Sequence, residues 1–123
     1  MILVDTSVWV DHLRQGERAL ADLLEAGMVL AHPFVIGELA LGELRERELV
    51  LGALQGLPRA RAASDGEVLH FIARHTLFGI GIGYVDAHLL AAVRLTPGSA
   101  LWTRDRRLDR IAKQTGLAAT VAH

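Results

Sequence analysis

The chain opens with Ile2-Leu3-Val4-Asp5-Thr6-Ser7-Val8-Trp9-Val10, and this stretch decides its fold. Three aliphatic residues in a row are typical of a strand that is buried on both faces, as in a parallel sheet. A helical pattern follows, and Thr6 or Ser7 can cap that helix because a hydroxyl oxygen satisfies a free backbone amide. Asp5 is therefore predicted at the carboxyl end of a buried strand, where open α/β sheets bind ligands. A helix cap is the alternative role for Asp5.

The composition and charge of the chain limit the class of protein. Its 123 residues are 51% hydrophobic, which is enough for a packed core and predicts one domain over residues 1–123. The chain contains no cysteine, so disulfides and thiolate metal sites are excluded. No apolar run reaches the roughly 18 residues of a membrane span and no basic leader is present, so we expect a cytoplasmic protein. The net charge of −1 gives no sign of nucleic-acid binding by itself.

Further short apolar runs alternate with helical patterns along the chain. Residues 28–31 and 100–103 are predicted as buried strands, residues 60–63 as an edge strand and residues 118–121 as a final strand. Strands that alternate with helices are typical of a parallel sheet covered on both faces. The predicted fold class is therefore α/β, with three layers in the order α/β/α and a short, mainly parallel central sheet.

Helical patterns fill most of the remaining chain. Helices are predicted for residues 7–14, 18–25, 45–54 and 84–93, near Pro33 and after Arg104. A further helix is predicted to begin at the capping box Ser64-Asp65-Gly66-Glu67 and to end near Gly79. Residues 84–93 are apolar nearly all round, which is typical of a buried helix. Before them, Ile80-Gly81-Ile82-Gly83 is a glycine-rich joint that lacks the lysine of a phosphate loop. His70 and His75 lie five residues apart, so they are predicted as surface or boundary residues and not as paired ligands.

Two aspartates share the same predicted setting. Asp105 follows the strand at residues 100–103 as Asp5 follows the first strand, and a hydroxyl residue lies close to each. The carboxyl ends of parallel strands meet at one edge of a sheet, and both carboxylates are predicted at that edge.

Glu38 and Asp86 are the other two candidate site residues. Glu38 stands among apolar residues, where an unpaired carboxylate is costly; the alternative is a narrow solvent-facing stripe shared with Arg45 or Glu46. Asp86 lies near the start of the buried helix, where helix capping is the alternative role. Helix starts lie at the carboxyl edge of a parallel sheet, so Asp86 can reach the aspartates there. Glu38 joins them if its helix packs across the strand ends.

Four clustered carboxylates need a counter-charge, because neighbouring like charges raise one another's pKa. A set of ligands with oxygen atoms only favours Mg²⁺ or Mn²⁺ over zinc. Such a metal can position and acidify a water that attacks a phosphodiester. The nearby arginines can hold the phosphate backbone of a substrate, with a solvated helix face as the alternative; they are Arg104, Arg106, Arg107 and Arg110.

Four motifs together resemble those of the PIN-domain ribonucleases, specifically the VapC-type toxins of bacterial toxin–antitoxin pairs. In order along the chain they are Ile2-Leu3-Val4-Asp5-Thr6-Ser7-Val8, Glu38-Leu39-Ala40-Leu41-Gly42, Asp86-Ala87-His88-Leu89-Leu90-Ala91-Ala92 and Thr103-Arg104-Asp105-Arg106. The resemblance covers essentially the whole chain, and the ordered set is more specific than any single motif. His88 departs from the pattern, where an apolar or small residue is expected, and is a candidate to approach the substrate. Leu108 replaces an aromatic residue, which affects only the expected local packing.

The resemblance implies a metal-dependent endoribonuclease with a PIN-like fold. Its catalytic metal site would comprise Asp5, Glu38, Asp86 and Asp105, of which the first and the last would touch Mg²⁺ or Mn²⁺ directly. Ser7 and Thr103 would orient these acids, and Asp109 would either join them or form a surface ion pair with Arg106. The family also implies an RNA substrate such as transfer RNA, a homodimer and inhibition by a cognate antitoxin.

Three alternatives remain open at this point. A haloacid-dehalogenase-like phosphatase also has an aspartate after its first strand, but it needs a second aspartate two residues later, where this chain has Ser7. A PIN nuclease of RNA maturation would need no antitoxin. A non-catalytic PIN module that binds RNA or protein is the third alternative, and the presence of all four acids argues against it.

Overall fold

A parallel sheet of three short strands runs through the computed structural model, which describes residues 1–121. The strands are β1 (Ile2–Val4), β2 (Val29–Leu30) and β3 (Ala100–Trp102). β1 lies between the other two and pairs in parallel with both. The strand at the start of the chain is therefore the middle strand, and all three carboxyl ends lie at one edge of the sheet.

Seven helices connect and cover these strands within the described residues. They are α1 (Thr6–Gln15), α2 (Arg18–Glu25), α3 (Pro33–Leu41), α4 (Arg47–Gln55), α5 (Asp65–Arg74), α6 (Tyr84–Leu95) and α7 (Arg106–Gln114). α3 packs against both α1 and α4, whereas α6 packs against β3 and α5. The predicted α/β/α fold class with a parallel central sheet is confirmed.

The hydrophobic core is built around β1 and α6. Leu3 and Val4 of β1 are fully buried, and every residue of α6 from 87 to 93 is buried. The predicted burial of this helix is therefore confirmed, and it fixes Asp86 at the first turn of a rigid element. No helix within residues 1–121 combines the length and the apolar character that a membrane crossing requires.

The predicted edge strand at residues 60–63 is wrong. A single bridge joins Arg59 to Ala31, and one of its hydrogen bonds runs from the Ala60 amide to the Ala31 carbonyl at 2.9 Å. The next amide, that of Arg61, donates instead to the hydroxyl of Thr96 at 2.8 Å. A parallel ladder would continue through the amide of residue 33, but Pro33 has no N–H and begins α3, so the strand does not form.

The predicted final strand at residues 118–121 is also reduced to one bridge, between Ala118 and Leu101. The Leu101 amide donates to the Leu117 carbonyl, and the Ala119 amide donates to the Leu101 carbonyl, each at 2.8 Å. One residue of β3 thus supplies both hydrogen bonds, and no ladder extends from it within the described residues.

Two helix boundaries differ from the prediction because of local backbone geometry. α4 begins at Arg47 rather than at residue 45, since Glu46 has a positive φ of 51° and cannot continue a right-handed helix. α5 ends at Arg74 rather than near Gly79, since Thr76 has a positive φ of 53°. The capping box at the start of α5 is present as predicted, with Ser64 and Glu67 satisfying each other's backbone amides.

His32 starts α3 as a buried histidine cap. Its Nδ1 accepts a hydrogen bond from the Phe34 amide at 3.0 Å, and only 1% of the residue is exposed. Burial, followed by the nearby charges of His88 and Arg59, lowers the pKa of His32 from 6.5 to about 4. The folded protein therefore holds this imidazole neutral at pH values where the unfolded chain protonates it.

This depressed pKa predicts a loss of stability in mild acid. As the pH falls from 6.5 to about 4, the unfolded chain binds the proton and the folded protein does not, which lowers the free energy of unfolding by up to about 3 kcal/mol. His32→Asn retains an oxygen acceptor for the Phe34 amide but cannot titrate. We expect its stability, measured by urea unfolding at pH 7 and at pH 5, to fall less than that of the wild type. An equal loss of stability in the wild type and in His32→Asn would show that His32 does not cause the acid sensitivity.

Candidate active site

Asp5 lies at the carboxyl end of β1 and is only 7% exposed. Its Oδ2 accepts two hydrogen bonds, from the Ser7 hydroxyl at 2.8 Å and from the Thr103 hydroxyl at 2.7 Å. Thr103 directly follows β3, so the hydroxyl that meets Asp5 comes from the neighbouring strand. Together the two hydroxyls hold one buried carboxylate in a single orientation at the edge of the sheet.

The expectation that Thr6 or Ser7 caps the first helix is wrong. α1 begins at Thr6, Asp5 occupies the capping position, and no side-chain capping bond forms. Ser7 instead accepts a hydrogen bond from the Arg104 amide at 3.0 Å, while its own proton goes to Asp5. Ser7 therefore joins the residues that follow β1 and β3 and does not cap the helix.

Glu38 projects from α3 and is exposed. Its Oε1 accepts a hydrogen bond from the Thr6 hydroxyl at 2.7 Å, which is possible because α1 packs against α3. The contact brings Glu38 to the residue that follows Asp5. Sequence reasoning missed Thr6 as a site residue, because only the packing of these two helices reveals its partner.

Asp105 and Asp86 each stand at the start of a helix. Asp105 caps α7, since its Oδ1 accepts from the Leu108 amide at 2.9 Å, and its own amide donates to the Thr103 hydroxyl at 3.1 Å. Asp86 lies in the first turn of α6, where its Oδ2 accepts from the Gly83 amide at 3.3 Å. The capping role considered for Asp86 is therefore present, and it coexists with a position beside the other acids.

The electrostatics of Asp86 show that the four acids influence one another. Burial is the largest cause that raises the pKa of Asp86, and the charges of Asp5, Asp105 and Glu38 raise it further against the lowering effect of the Gly83 amide. Asp86 thus feels the charges of three acids from other parts of the chain, which extend in sequence from Asp5 to Asp105. These are the residues that could hold a metal ion.

An open cleft of about 340 Å³ lies beside this cluster. Two of the acids and three of the predicted arginines line it: Asp86, Asp105, Arg106, Arg107 and Arg110. Negative and positive side chains therefore share one cleft. The carboxylates could hold a cation here, and the guanidinium groups could bind a phosphate directly.

Arg104 has a different position from the other three arginines. Its guanidinium forms ion pairs with Asp11 of α1 and Glu17, and it lies 5.9 Å from the Trp102 ring centroid. The hydrogen bonds that its guanidinium donates to Glu17 and Asp11 raise the pKa of Arg104. Within residues 1–121, Arg104 thus ties the end of β3 to α1 and does not line the cleft.

Two further candidates have partners outside the acid cluster. Asp109 forms an ion pair with Lys113 at 2.8 Å, one turn along α7, and not with Arg106. His88 is buried against the rings of Phe34 and Tyr84, each with its centroid 4.6 Å away. The position of His88 inside the aromatic packing separates it from the open cleft.

Within residues 1–121, no three acids or histidines are arranged as a ready-made metal cluster. The donor set is nevertheless that of a hard divalent cation, since it consists of carboxylate oxygens with hydroxyls behind them. Burial and then the charges of three neighbouring acids raise the pKa of Asp86, and a cation would offset this penalty on its ionised form. On these two grounds the residues fit Mg²⁺ or Mn²⁺.

Comparison with known proteins gives two findings. The family model described as PIN domain matches residues 2–114. Two curated relatives, each named Ribonuclease VapC32, come from Mycobacterium tuberculosis strains CDC 1551 / Oshkosh and ATCC 25618 / H37Rv. Each is 46% identical to the chain over 118 residues, which cover 96% of the chain and 95% of the relative.

Proposed function

The chain belongs to the PIN-domain family and is a homologue of the VapC ribonucleases, and on this basis we propose that it is a metal-dependent endoribonuclease that acts as the toxin of a toxin–antitoxin pair. One observation supports the proposal: the charges of Asp5, Glu38 and Asp105 act on Asp86, where they add to burial in raising its pKa. Its substrate is RNA, with transfer RNA as one candidate, and its partners are a cognate antitoxin and a second copy of the chain. We expect it to act in the cytoplasm.

Asp5, Asp105, Asp86 and Glu38 would hold Mg²⁺ or Mn²⁺, with the first two as direct ligands. A bound divalent ion would offset the charge of the acids and stabilise the negative charge that develops on the phosphate. Ser7 and Thr103 position the Asp5 carboxylate, since both of their hydroxyls donate to its Oδ2. Thr6 does the same for Glu38.

Glu38 and Asp86 are the acids that orient the attacking water and accept its proton. Glu38 is exposed, so water reaches it freely, whereas Asp86 lines the open cleft. Burial and the neighbouring acids raise the pKa of Asp86 and make it a better proton acceptor than an ordinary aspartate. In-line attack on the phosphodiester needs a general base that accepts the proton of the attacking water, and Glu38 and Asp86 are the residues in this role.

Arg106 and Arg110 are expected to bind the RNA backbone. The double variant Arg106→Gln/Arg110→Gln should raise KM about tenfold with less than a threefold change in kcat, because guanidinium groups hold phosphate equally in the ground and transition states. The slope of log affinity against log salt should become shallower by about 1.4, or about 0.7 for each phosphate of single-stranded RNA that an arginine no longer neutralises. Arg18→Gln, which changes an exposed arginine of α2, is the matched control. An unchanged salt dependence would exclude the two arginines from binding.

Two experiments test the proposed function. Purified protein is incubated with total RNA and Mg²⁺ or Mn²⁺, and the products are mapped by 5′-end sequencing; discrete internal cuts are expected, whereas an absence of cutting would contradict the nuclease activity. For the toxin role, induced expression should arrest growth, and co-expression of the neighbouring reading frame should restore it. Cleavage without growth arrest would favour a PIN nuclease of RNA maturation.

A further inference from the structure

A second hollow adjoins the acidic cleft. Its volume is about 240 Å³, and hydrophobic side chains line most of it, among them Leu77, Phe78 and Tyr84. Gly81 and Ile82 belong to the walls of both hollows. The glycine-rich joint at residues 80–83 therefore separates a charged cleft from a hydrophobic one, and a molecule lying across the joint can occupy both.

Arg107 holds the joint between the hollows in place. Its Nη1 donates to the Gly81 carbonyl at 3.0 Å. Gly81 has a positive φ of 85°, and an added Cβ would lie 2.4 Å from the same Nη1 atom. Glycine is favoured at this position because residues with a side chain rarely adopt this backbone conformation. The arginine that lines the acidic cleft thus also shapes the wall of the second hollow.

Two aromatic side chains of the second hollow are open to solvent. Phe78 is 66% exposed and Tyr84 is 48% exposed, although large hydrophobic residues are usually buried. The Tyr84 hydroxyl donates to Asp65 at 3.1 Å, and its ring packs edge-on against His88 at 4.6 Å. Tyr84 is therefore held in one orientation before any ligand arrives, which lowers the entropic cost of binding.

We propose that this second hollow binds the nucleobase of an unpaired nucleotide next to the cleaved phosphate, by stacking on Tyr84 and Phe78. The inference rests on the proposed function and deepens it: a hollow that binds an unpaired base favours RNA that is single-stranded at the cleavage site. Single-stranded RNA is bound through exposed aromatic rings beside a positively charged track. Here Arg106, Arg107 and Arg110 supply the charge, and the shared wall at Gly81 places the rings directly beside it.

A binding measurement tests the proposal without relying on catalysis. Asp5→Asn protein without added metal is titrated into a single-stranded RNA oligonucleotide that contains 2-aminopurine, whose fluorescence is quenched when it stacks on an aromatic ring. We expect quenching, and we expect Phe78→Ala and Tyr84→Ala in this background to weaken affinity about tenfold. Tyr84→Phe keeps the ring and should bind within about twofold of its parent, which separates stacking from any effect of the mutation on folding.

Leu49→Ala is the matched control, because Leu49 is 69% exposed on α4 and lines neither hollow. It should bind as its parent does. If Phe78→Ala and Tyr84→Ala also bind as their parent does, the inference is wrong. The inference also fails if Phe78→Ala changes the molar mass by light scattering while RNA binding stays unchanged, since the hollow is then a protein interface.

Cleavage kinetics separate this inference from the proposed function. If the wild type cleaves RNA, Phe78→Ala should raise KM about tenfold and Leu49→Ala should not. Equal KM values in an active enzyme would reject the stacking site and leave the nuclease assignment intact. Quenching by a wild type that cleaves nothing would support the stacking site and reject the nuclease.

Discussion

Asp5→Asn is expected to lower the rate of RNA cleavage by about a thousandfold or more while the protein stays folded. The substitution removes the charge of the most buried of the four acids, and asparagine has nearly the same shape. Ser7 and Thr103 can still donate to the remaining amide oxygen, so the packing at the sheet edge persists. Loss of a ligand that acts on the transition state lowers kcat rather than raising KM.

The measurement is single-turnover cleavage of a defined RNA, paired with a thermal melt. Asp22→Asn on α2 is the matched control, because Asp22 is exposed and lies outside the acid cluster. It should cleave at the wild-type rate. If Asp5→Asn cleaves within tenfold of the wild type, or if it loses activity only because it has unfolded, Asp5 does not have the role proposed for it.

Asp86→Asn should abolish most of the activity and at the same time stabilise the metal-free protein. We expect cleavage to fall about a hundredfold, because a proton acceptor in the cleft is lost. We expect the melting temperature in excess chelator to rise, because burial and three neighbouring carboxylates disfavour the ionised form of Asp86 in the folded state. The amide oxygen of asparagine can still accept from the Gly83 amide, so the start of α6 is preserved.

The pH dependence of this gain in melting temperature tests whether the charge of Asp86 causes it. A carboxyl group whose pKa is raised on folding lowers stability above that pKa, and the penalty disappears as the pH falls below the unfolded value of 3.8. The difference in melting temperature between Asp86→Asn and wild type should therefore shrink towards acid pH. Asp109→Asn is the control, since it removes an ion pair with Lys113 and should give no gain. An Asp86→Asn protein that melts below wild type at pH 7 would contradict the electrostatic account.

Local sequence patterns were sufficient to predict the central sheet and the position of Asp5 at the end of β1. An uninterrupted aliphatic run marks β1, and an apolar run of the same length marks β3, because a strand buried on both faces leaves no polar position. Asp5 directly follows β1, whereas Asp105 lies three residues after the end of β3 and caps α7. The bounds of α2 also agree with the prediction, since apolar spacing and a following glycine define both ends.

Contacts between distant elements account for what the sequence did not predict. Thr6 was expected to cap a helix, but the packing of α1 against α3 brings it to Glu38. Arg104 was grouped with its neighbours in sequence, yet Asp11 and Glu17 draw its side chain towards α1. In each case the partner is far away in sequence. The spacing of residues within one helix therefore could not predict the contact.

Metal dependence is the centre of the proposed function, and one measurement tests it most directly. Wild-type protein, purified free of any antitoxin and stripped with chelator, is assayed on a defined RNA before and after the return of Mg²⁺ or Mn²⁺. The four acids predict no cleavage in chelator and recovery of cleavage when either metal is restored. Cleavage that continues at an undiminished rate in excess chelator would contradict the account.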